Sequence, residues 1–219
     1  MKILLVRNSE HAPEGAFGTW LREQGHPLEI TTGEALDEAA MERNEVVVLL
    51  GSQHGTYDTH IRWIPRQRAM IAARLNARRP TIGICFGAQM IAHSAGGGSR
   101  RDPDGRFFRG WHDIAHAADP VLAGPWPRWH GDVITAPPQA EVLARDEGTV
   151  QALALPRAVG VQFHPEATPA LLQDWAARGA TPASFDRDAL AVDSARLFPA
   201  RSAARAALYA WLLRRATED

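Results

Sequence analysis

Short apolar runs alternate with helix-like segments through the first half of the chain. Helical patterns cover residues 16–24 and 61–78, and Pro65 suits the first turn of the second helix, where a missing N–H costs little. Chains that alternate in this way fold into a mostly parallel sheet with helices on both faces. The sequence therefore predicts an α/β fold with parallel strands at residues 3–6, 28–31, 46–50 and 81–84.

The second half of the chain has a different pattern. Residues 107–163 show strand signals separated by Pro and Gly, including residues 142–144 and 150–155, which predicts an antiparallel β flank. Residues 202–215 then carry apolar side chains at helical spacing, so we expect a C-terminal helical extension at about residues 183–219 that packs on the core. Because 219 residues, 45% of them hydrophobic, suffice for one well-buried core, a single domain that takes in the whole sequence is predicted.

Composition argues against several classes of partner. The 24 Lys and Arg residues nearly balance the 25 Asp and Glu residues, so neither a nucleic acid nor a membrane is expected as a partner. The arginine pairs at 78–79, 100–101 and 214–215 are expected to be solvated. The absence of paired cysteines fits a reducing compartment, and the apolar run within residues 1–7 is too short for a signal peptide or membrane span. A cytoplasmic location is therefore expected.

The single cysteine, Cys85, lies where a strand-like run meets a glycine-flanked turn that opens a helix. Gly83 and Gly87 leave the room that a nucleophile on a tight strand-to-helix turn requires. The first amides of the following helix favour a thiolate and can bind a developing oxyanion. A lone cysteine is more often a small buried hydrophobe, but this context favours a nucleophile.

A second motif lies 79 residues further on, at His164 and Glu166. Val159, Val161 and Phe163 alternate as in a strand, so two side chains just past its end can lean to the same side. A carboxylate beside an imidazole fixes its tautomer and leaves the other ring nitrogen to take a proton from a thiol. Taken alone, the motif fits a surface His and a solvated Glu equally well. Together with Cys85 it predicts a base and the group that orients it.

No metal or cofactor motif is found in the sequence. Nine histidines are present, but none has H-E-x-x-H or Cys/His ligand spacing, and one cysteine cannot form a thiolate zinc site. His112 and His116 stand four residues apart in a segment that looks more like a strand than a helix. The glycines at residues 96–98 follow the helix after Cys85, where glycine usually ends a helix. Neither a P-loop nor a dinucleotide fingerprint occurs, so no metal and no cofactor are predicted.

The two motifs resemble those of the class I, or triad, glutamine amidotransferases. The resemblance rests on G-I-C-F-G-A-Q around Cys85, on Q-F-H-P-E around His164, on the loop at residues 49–58, and on residues 129–132, which resemble the W-H-x-D segment of stand-alone members. The chain also resembles the glutaminase domain of GMP synthetases. This resemblance implies the flavodoxin-like fold of class I amidotransferases. It also implies attack on the glutamine side-chain amide through a γ-glutamyl thioester, with release of ammonia.

The resemblance implies a role for each matching residue. Cys85 is the nucleophile, His164 the base and Glu166 the residue that orients it. The main-chain amides of Phe86 and Ser52 form the oxyanion hole. The residues that bind substrate are Gly51, Gln89, His130 and Asp132.

Two of these assignments have alternatives. His130 and Asp132 alternate toward one side of a strand or loop, and a structural role in fixing that loop suits them equally. The oxyanion loop reads Gly51-Ser52-Gln53 where the family usually has G-G-P. A serine amide donates as well as any other, but this position often needs a positive φ, so the serine is expected to strain or re-aim the loop.

Two enzymatic functions fit the motifs. The leading hypothesis is an amidotransferase or glutaminase that hydrolyses glutamine and delivers ammonia to a separate synthetase or acceptor-binding protein. The alternative is a γ-glutamyl hydrolase or peptidase that uses the same triad on γ-glutamyl conjugates. A non-catalytic relative is disfavoured because all three triad positions are occupied. A Ser/Cys α/β-hydrolase is disfavoured because its acid precedes the histidine, whereas Glu166 follows His164.

Overall fold

The computed structural model describes residues 1–146, 148–179 and 181–218; Asp219, the last residue of the predicted C-terminal extension, lies outside them. Its strands are β1 (Ile3–Arg7), β2 (Leu28–Thr32), β3 (Val46–Leu49), β4 (Thr81–Ile84), β5 (Gly98–Arg101), β6 (Phe108–His112), β7 (His116–Ala117), β8 (Trp126–His130), β9 (Asp132–Thr135), β10 (Glu141–Asp146), β11 (Thr149–Leu155) and β12 (Ala158–Val161). Its α-helices are α1 (Gly15–Glu23), α2 (Glu38–Arg43), α3 (Trp63–Asn76), α4 (Phe86–Ser94), α5 (Pro169–Arg178), α6 (Arg187–Ala200) and α7 (Ser202–Thr217). A short 3₁₀ helix covers Pro120–Leu122.

An eight-stranded sheet forms the centre of the fold, with the strand order β2-β1-β3-β4-β12-β11-β10-β7. The first five strands in this order pair in parallel. The remaining three continue the sheet with antiparallel pairing. This arrangement confirms the predicted α/β fold of flavodoxin-like type with an antiparallel flank. Because β12 pairs with β4, the chain segment between these two strands begins and ends at neighbouring positions in the sheet.

Helices cover both faces of the sheet because the central strands are apolar on both sides. Leu5 and Val48 face α1 and α7 in one buried cluster. Leu4 and Val47 face α2, α3 and α4 in another. The apolar face predicted for the C-terminal helix packs on the first cluster through Ala204, Leu208, Trp211 and Leu212.

A smaller layer lies beside the strand ends that carry Cys85 and His164. It consists of two antiparallel ribbons, β5 with β9 and β6 with β8, together with α5 and α6. An apolar cluster joins α5 and α6 to Trp111 and Trp129 of the β6–β8 ribbon. This layer supplies the wall opposite the sheet in the candidate site. Among the described helices, none combines the length and apolar character needed to cross a membrane.

Candidate active site

Cys85 stands on a strained turn between β4 and α4. Its φ of 51° and ψ of −109° place a non-glycine residue in a conformation that L side chains rarely adopt. The flanking glycines are sterically required: a Cβ on Gly83 would lie 2.5 Å from the carbonyl of Gly87, and one on Gly87 would lie 2.1 Å from the carbonyl oxygen of Leu49. The turn is held by the Cys85 N–H, which donates to the carbonyl of Val161 at 2.8 Å. The structure therefore has the strand-to-helix turn that the sequence predicts.

The amide of Phe86 opens helix α4 directly after Cys85. The first amides of a helix have no intrahelical acceptor, so they remain available to a negative charge near the sulfur. The Phe86 ring is buried against Trp63 of α3, with ring centroids 5.8 Å apart. Packing therefore fixes the residue whose amide is the predicted oxyanion donor.

The structure brings His164 and Glu166 together with Cys85. Nδ1 of His164 donates to Oε1 of Glu166 at 2.7 Å, and both side chains are buried. The Cys85 sulfur also acts on the imidazole, because it is among the groups that raise the pKa of His164. Because Nδ1 is engaged by the carboxylate, the other ring nitrogen is the one that can exchange a proton with the sulfur.

The electrostatics of this group favour a charged imidazole. Burial opposes protonation of His164, but the neighbouring Glu166 carboxylate and Cys85 sulfur outweigh it and raise the pKa of His164 well above its usual value. A raised pKa on a buried histidine beside a nucleophile is typical of active sites. The arrangement can therefore hold a charged imidazole beside the Cys85 sulfur.

Two other groups enclose His164. The indole of Trp175, in α5, lies 4.7 Å from the imidazole centroid, and its Nε1 donates to the carbonyl of His11 at 2.6 Å. A side chain at residue 51 would crowd the imidazole, since a Cβ on Gly51 would lie 3.3 Å from Cε1 of His164. The Trp175 ring and the hydrogen bond to Glu166 restrict rotation of the imidazole.

Gln162 joins the nucleophile to the predicted substrate-binding residue Gln89. Its Nε2 donates to the Cys85 sulfur at 3.6 Å, and its Oε1 accepts from Nε2 of Gln89 at 3.1 Å. Both glutamine side chains are buried. Gln162 is thus a donor that contacts the candidate reacting atom and also orients Gln89.

Opposite charges meet at the mouth of the cavity. Nε of Arg101 lies 3.4 Å from Oδ1 of Asp132, and the Tyr57 hydroxyl donates to the same oxygen at 3.2 Å. Burial raises the pKa of Asp132, while Arg101 and the Tyr57 hydroxyl act in the opposite direction. The Arg101 side chain is solvated as predicted, since it is 73% exposed, and it also lines the cavity beside Asp132.

His130 lies deeper in the same wall. Its Nδ1 bonds to the carbonyl of Asp132 at 2.9 Å, so this nitrogen carries the proton and Nε2 is an acceptor. Nε2 is buried without a hydrogen-bond partner among the described residues. Burial lowers the pKa of His130 to about 3, with smaller contributions from neighbouring cations, so the imidazole is neutral. His130 fixes the loop through the carbonyl of Asp132 and also lines the cavity, so its position fits both the structural role and the substrate-binding role.

The loop after β3, which carries Ser52, is not strained in the way the sequence suggests. Neither Gly51 nor Ser52 has a positive φ. The Ser52 hydroxyl accepts from the amide of His54 at 3.2 Å, which shapes the loop locally. The expectation that a serine strains this position is therefore wrong, because the backbone here adopts an ordinary φ that any residue can take.

A chain of hydrogen bonds anchors the same loop from behind. Arg68 of α3 donates to Nε2 of His93 at 2.9 Å, and a guanidinium can only donate, so Nδ1 of His93 carries the proton. Nδ1 lies 2.9 Å from the hydroxyl oxygen of Thr56, which lies 2.7 Å from the hydroxyl of Ser99. Burial and Arg68 both lower the pKa of His93, which keeps this tautomer neutral. The loop is thereby tied to α3, α4 and β5.

All the predicted site residues except Phe86 line one cavity or lie behind it. The cavity has a volume of about 560 Å³. It is lined by the predicted residues Gly51, Ser52, Cys85, Gln89, His130, Asp132 and His164. Glu166 is fully buried and contacts His164. Aromatic and cationic side chains complete the lining, and these are Arg101, Phe107, Arg109, Trp129, Trp175 and Arg178.

In residues 1–146, 148–179 and 181–218, no group of three or more His, Cys, Asp or Glu side chains is arranged to hold a metal ion. His112 lies at the end of β6 and His116 at the start of β7, so the two do not share a helical face.

Comparison with known proteins gives the same family. The sequence model for "Glutamine amidotransferase class-I" matches residues 21–174. The GMP synthase [glutamine-hydrolyzing] of Thermus thermophilus is 33% identical over 147 residues, which is 63% of this chain and 28% of that enzyme. The glutamine amidotransferase-like protein YfeJ of Salmonella typhimurium is 28% identical over 171 residues, 68% of this chain and 67% of its own length. The chain belongs to the class I glutamine amidotransferase family.

Solved structures agree on the fold. The crystal structure of a glutamine amidotransferase from Thermotoga maritima superposes with a TM-score of 0.86 and covers 100% of this chain and 99% of its own, at 23% identity. The chain spans less than a third of the length of the GMP synthases it matches.

Several residues of the site carry no assignment from the sequence. Gln162 could have been found from the sequence, because it stands two residues before His164 in a segment whose pattern predicts a strand. Trp175 and Arg101 had no local signal. They come from α5 and β5, and only the tertiary fold brings them to Cys85.

Proposed function

We propose that this protein hydrolyses the side-chain amide of glutamine through a thioester on Cys85. The observation that carries the proposal is the buried group of Cys85, His164 and Glu166, in which Cys85 stands on a strained turn. Asp132 and Arg101 place opposite charges in the same cavity. Membership of the class I amidotransferase family supports the reaction class. The residue roles below are part of the proposal.

In the first step the thiolate of Cys85 attacks the amide carbon of glutamine, and the oxyanion forms toward the amides of Phe86 and Ser52. Gln162 donates to the sulfur at 3.6 Å and holds it in the attacking position. His164 then gives a proton to the leaving nitrogen, and ammonia departs. A water activated by His164 hydrolyses the thioester and releases glutamate.

Glu166 acts by orientation and charge. Its carboxylate holds Nδ1–H of His164 at 2.7 Å and stabilises the imidazolium that the first step requires. The proton stays on the imidazole, because the pKa of His164 is raised well above its usual value.

The wall opposite Cys85 suits the head of an amino acid. Asp132 presents a carboxylate to the α-ammonium group, and Arg101, 3.4 Å away, presents a guanidinium to the α-carboxylate. Gln89 and Gly51 contact the side chain between the head and the amide. A substrate held at both ends places its amide carbon near the sulfur, which is how enzymes gain from proximity.

The ammonia acceptor is supplied, in this proposal, by a separate synthetase or acceptor-binding protein. The support is that relatives named as glutamine-hydrolysing GMP synthases match this chain over less than a third of their length. A cytoplasmic location is part of the same proposal, and the free thiol of Cys85 supports it.

One observation favours a second substrate class, the γ-glutamyl conjugates. The cavity of about 560 Å³ is within the roughly 300–1,000 Å³ range of pockets for larger ligands, and Phe107, Trp129 and Trp175 extend it beyond the amino-acid head. A γ-glutamyl hydrolase would use the same triad and release an amine in place of ammonia.

Parallel assays separate the two substrate classes. Purified protein is incubated with glutamine and with γ-glutamyl peptides, and glutamate release is measured for each, with Cys85→Ala as the blank. A higher kcat/KM on glutamine supports the amidotransferase proposal. Rapid cleavage of γ-glutamyl peptides with no hydrolysis of glutamine supports the second substrate class. Release of glutamate from neither would reject both.

A further inference from the structure

Two backbone contacts hold residues 164–166, here called the triad turn. The N–H of His164 donates to the carbonyl of Pro127 in β8 at 2.7 Å. The N–H of Ala16, in the first turn of α1, donates to the carbonyl of Glu166 at 2.9 Å. The two ends of the triad turn are thus fixed by different elements of the fold.

A third contact comes from α7, which lies beyond the family match at residues 21–174. The buried hydroxyl of Tyr209 donates to the carbonyl of Pro165 at 2.7 Å. Because proline has no N–H, this carbonyl is the only main-chain hydrogen-bonding group of the residue. The Tyr209 ring packs on Phe17 and Trp20 of α1, with ring centroids 4.7 and 5.6 Å apart, so the hydroxyl is aimed by packing.

The carboxylate of Glu166 depends on this turn for its direction. Its Oε1 accepts from His164, whereas Oε2 is buried without a hydrogen-bond partner among the described residues. A carboxylate held by one hydrogen bond keeps its alignment only if its backbone is fixed. Burial, and the Glu166 carboxylate nearby, raise the pKa of Tyr209 well above its usual value, so the hydroxyl keeps its proton and donates.

We propose that Tyr209 is a positioning residue for the triad: through the carbonyl of Pro165 it fixes the turn that holds Glu166 against His164. The C-terminal helix α7 is then part of the catalytic apparatus as well as of the core. This inference rests on the proposed function of Cys85, His164 and Glu166. Loss of the Tyr209 hydroxyl should therefore weaken the pairing of the His164 imidazolium with the Cys85 sulfur.

The variant Tyr209→Phe removes the hydroxyl and keeps the ring that packs on α1. Cys85 is the single cysteine in the chain, so its alkylation by iodoacetamide can be followed without glutamine and without interference. Free cysteines ionise at about pH 8.5, so the rate is measured at pH values well below that. Only a thiolate that is stabilised by an imidazolium reacts quickly at such pH values. We expect alkylation of Tyr209→Phe to be about tenfold slower than that of the wild type. The alkaline limb of its kcat/KM profile should move to lower pH, with KM for glutamine unchanged.

Trp20→Phe is the matched control, since it disturbs the packing around the Tyr209 ring but leaves the hydroxyl in place. We expect it to lower the thermal midpoint while the alkylation rate stays at the wild-type value. Equal alkylation rates in Tyr209→Phe and wild type would overturn the positioning role, and so would an equal loss in both variants. A wild-type protein that alkylates as slowly as a free cysteine would instead reject the triad itself.

Discussion

Replacing Glu166 by Gln removes the charge of the buried carboxylate and keeps the shape of the side chain. In the structure Oε1 accepts from Nδ1 of His164 at 2.7 Å, and the Glu166 side chain is fully buried. Glu166→Gln can still accept this hydrogen bond through its amide oxygen, so the tautomer of His164 is retained. The negative charge that stabilises the imidazolium is lost. The variant therefore tests electrostatic stabilisation rather than packing.

The size of the effect follows from the strength of this contact. A hydrogen bond to a charged group contributes about 1.5–3 kcal/mol, and one pKa unit corresponds to about 1.4 kcal/mol. The pKa of His164, which is raised in the native protein, should therefore fall toward its usual value. The alkaline limb of kcat/KM should move to lower pH with it, and the maximal value should fall roughly 10- to 150-fold.

The assay is glutamine hydrolysis across a pH series for wild type, Glu166→Gln and His164→Ala. His164→Ala removes the base itself and should lose several orders of magnitude. Glu10→Gln is the matched control: it removes a carboxylate from an exposed His–Glu pair, with 3.4 Å between Nε2 of His11 and Oε1 of Glu10, and should leave the profile unchanged. A loss in Glu166→Gln larger than that in His164→Ala, or an unmoved alkaline limb, would refute the orienting role.

Three further predictions concern the surroundings of the triad. Thr56→Val removes the hydroxyl from the hydrogen-bond chain that anchors the oxyanion loop, so kcat should fall by up to about tenfold with KM unchanged. A kcat equal to that of the wild type would show that the loop needs no such anchor. Arg101→Leu should raise KM for glutamine roughly 10- to 150-fold. Arg100→Leu, on the other face of β5, should leave KM unchanged, and equal effects of the two variants would contradict a role of Arg101 in substrate binding. His130 stays neutral in the folded state down to about pH 3 but takes up a proton near pH 6.5 when unfolded, so the free energy of unfolding should decrease as pH falls through this window. In urea titrations His130→Leu should flatten that decrease, and an unchanged slope would contradict the buried neutral state.

Local sequence was enough to predict the elements that carry the chemistry. The turn at Cys85 is determined by residues within two positions, Gly83 and Gly87, whose missing side chains the structure requires. The alternation of strands and helices likewise predicted the parallel sheet, because apolar strands covered on both faces need helices on both sides. The sequence also predicted the pairing of His164 and Glu166, but the structure places the two residues in a turn after β12 and not on an extended strand.

Contacts that depend on distant parts of the chain could not be predicted in this way. Tyr209 reaches Pro165 across 44 residues, and Trp175 reaches the carbonyl of His11 across 164. Both contacts exist only after α7 and α5 have packed, and a helix pattern shows which face is apolar without showing what it meets. The strain expected at Ser52 is absent because its φ is not positive, and the Thr56 contact that ties the loop to His93 spans 37 residues.

Covalent labelling with a glutamine analogue that carries an electrophile at the γ-carbon tests the central claim most directly. The intact mass should increase by one label per chain, the label should map to Cys85, and an excess of glutamine should slow its attachment. Cys85→Ala should remain unlabelled and should release no glutamate from glutamine. A label on Cys85→Ala, or labelling of Cys85 that glutamine does not slow, would contradict the proposal that this cavity binds glutamine and that Cys85 attacks it.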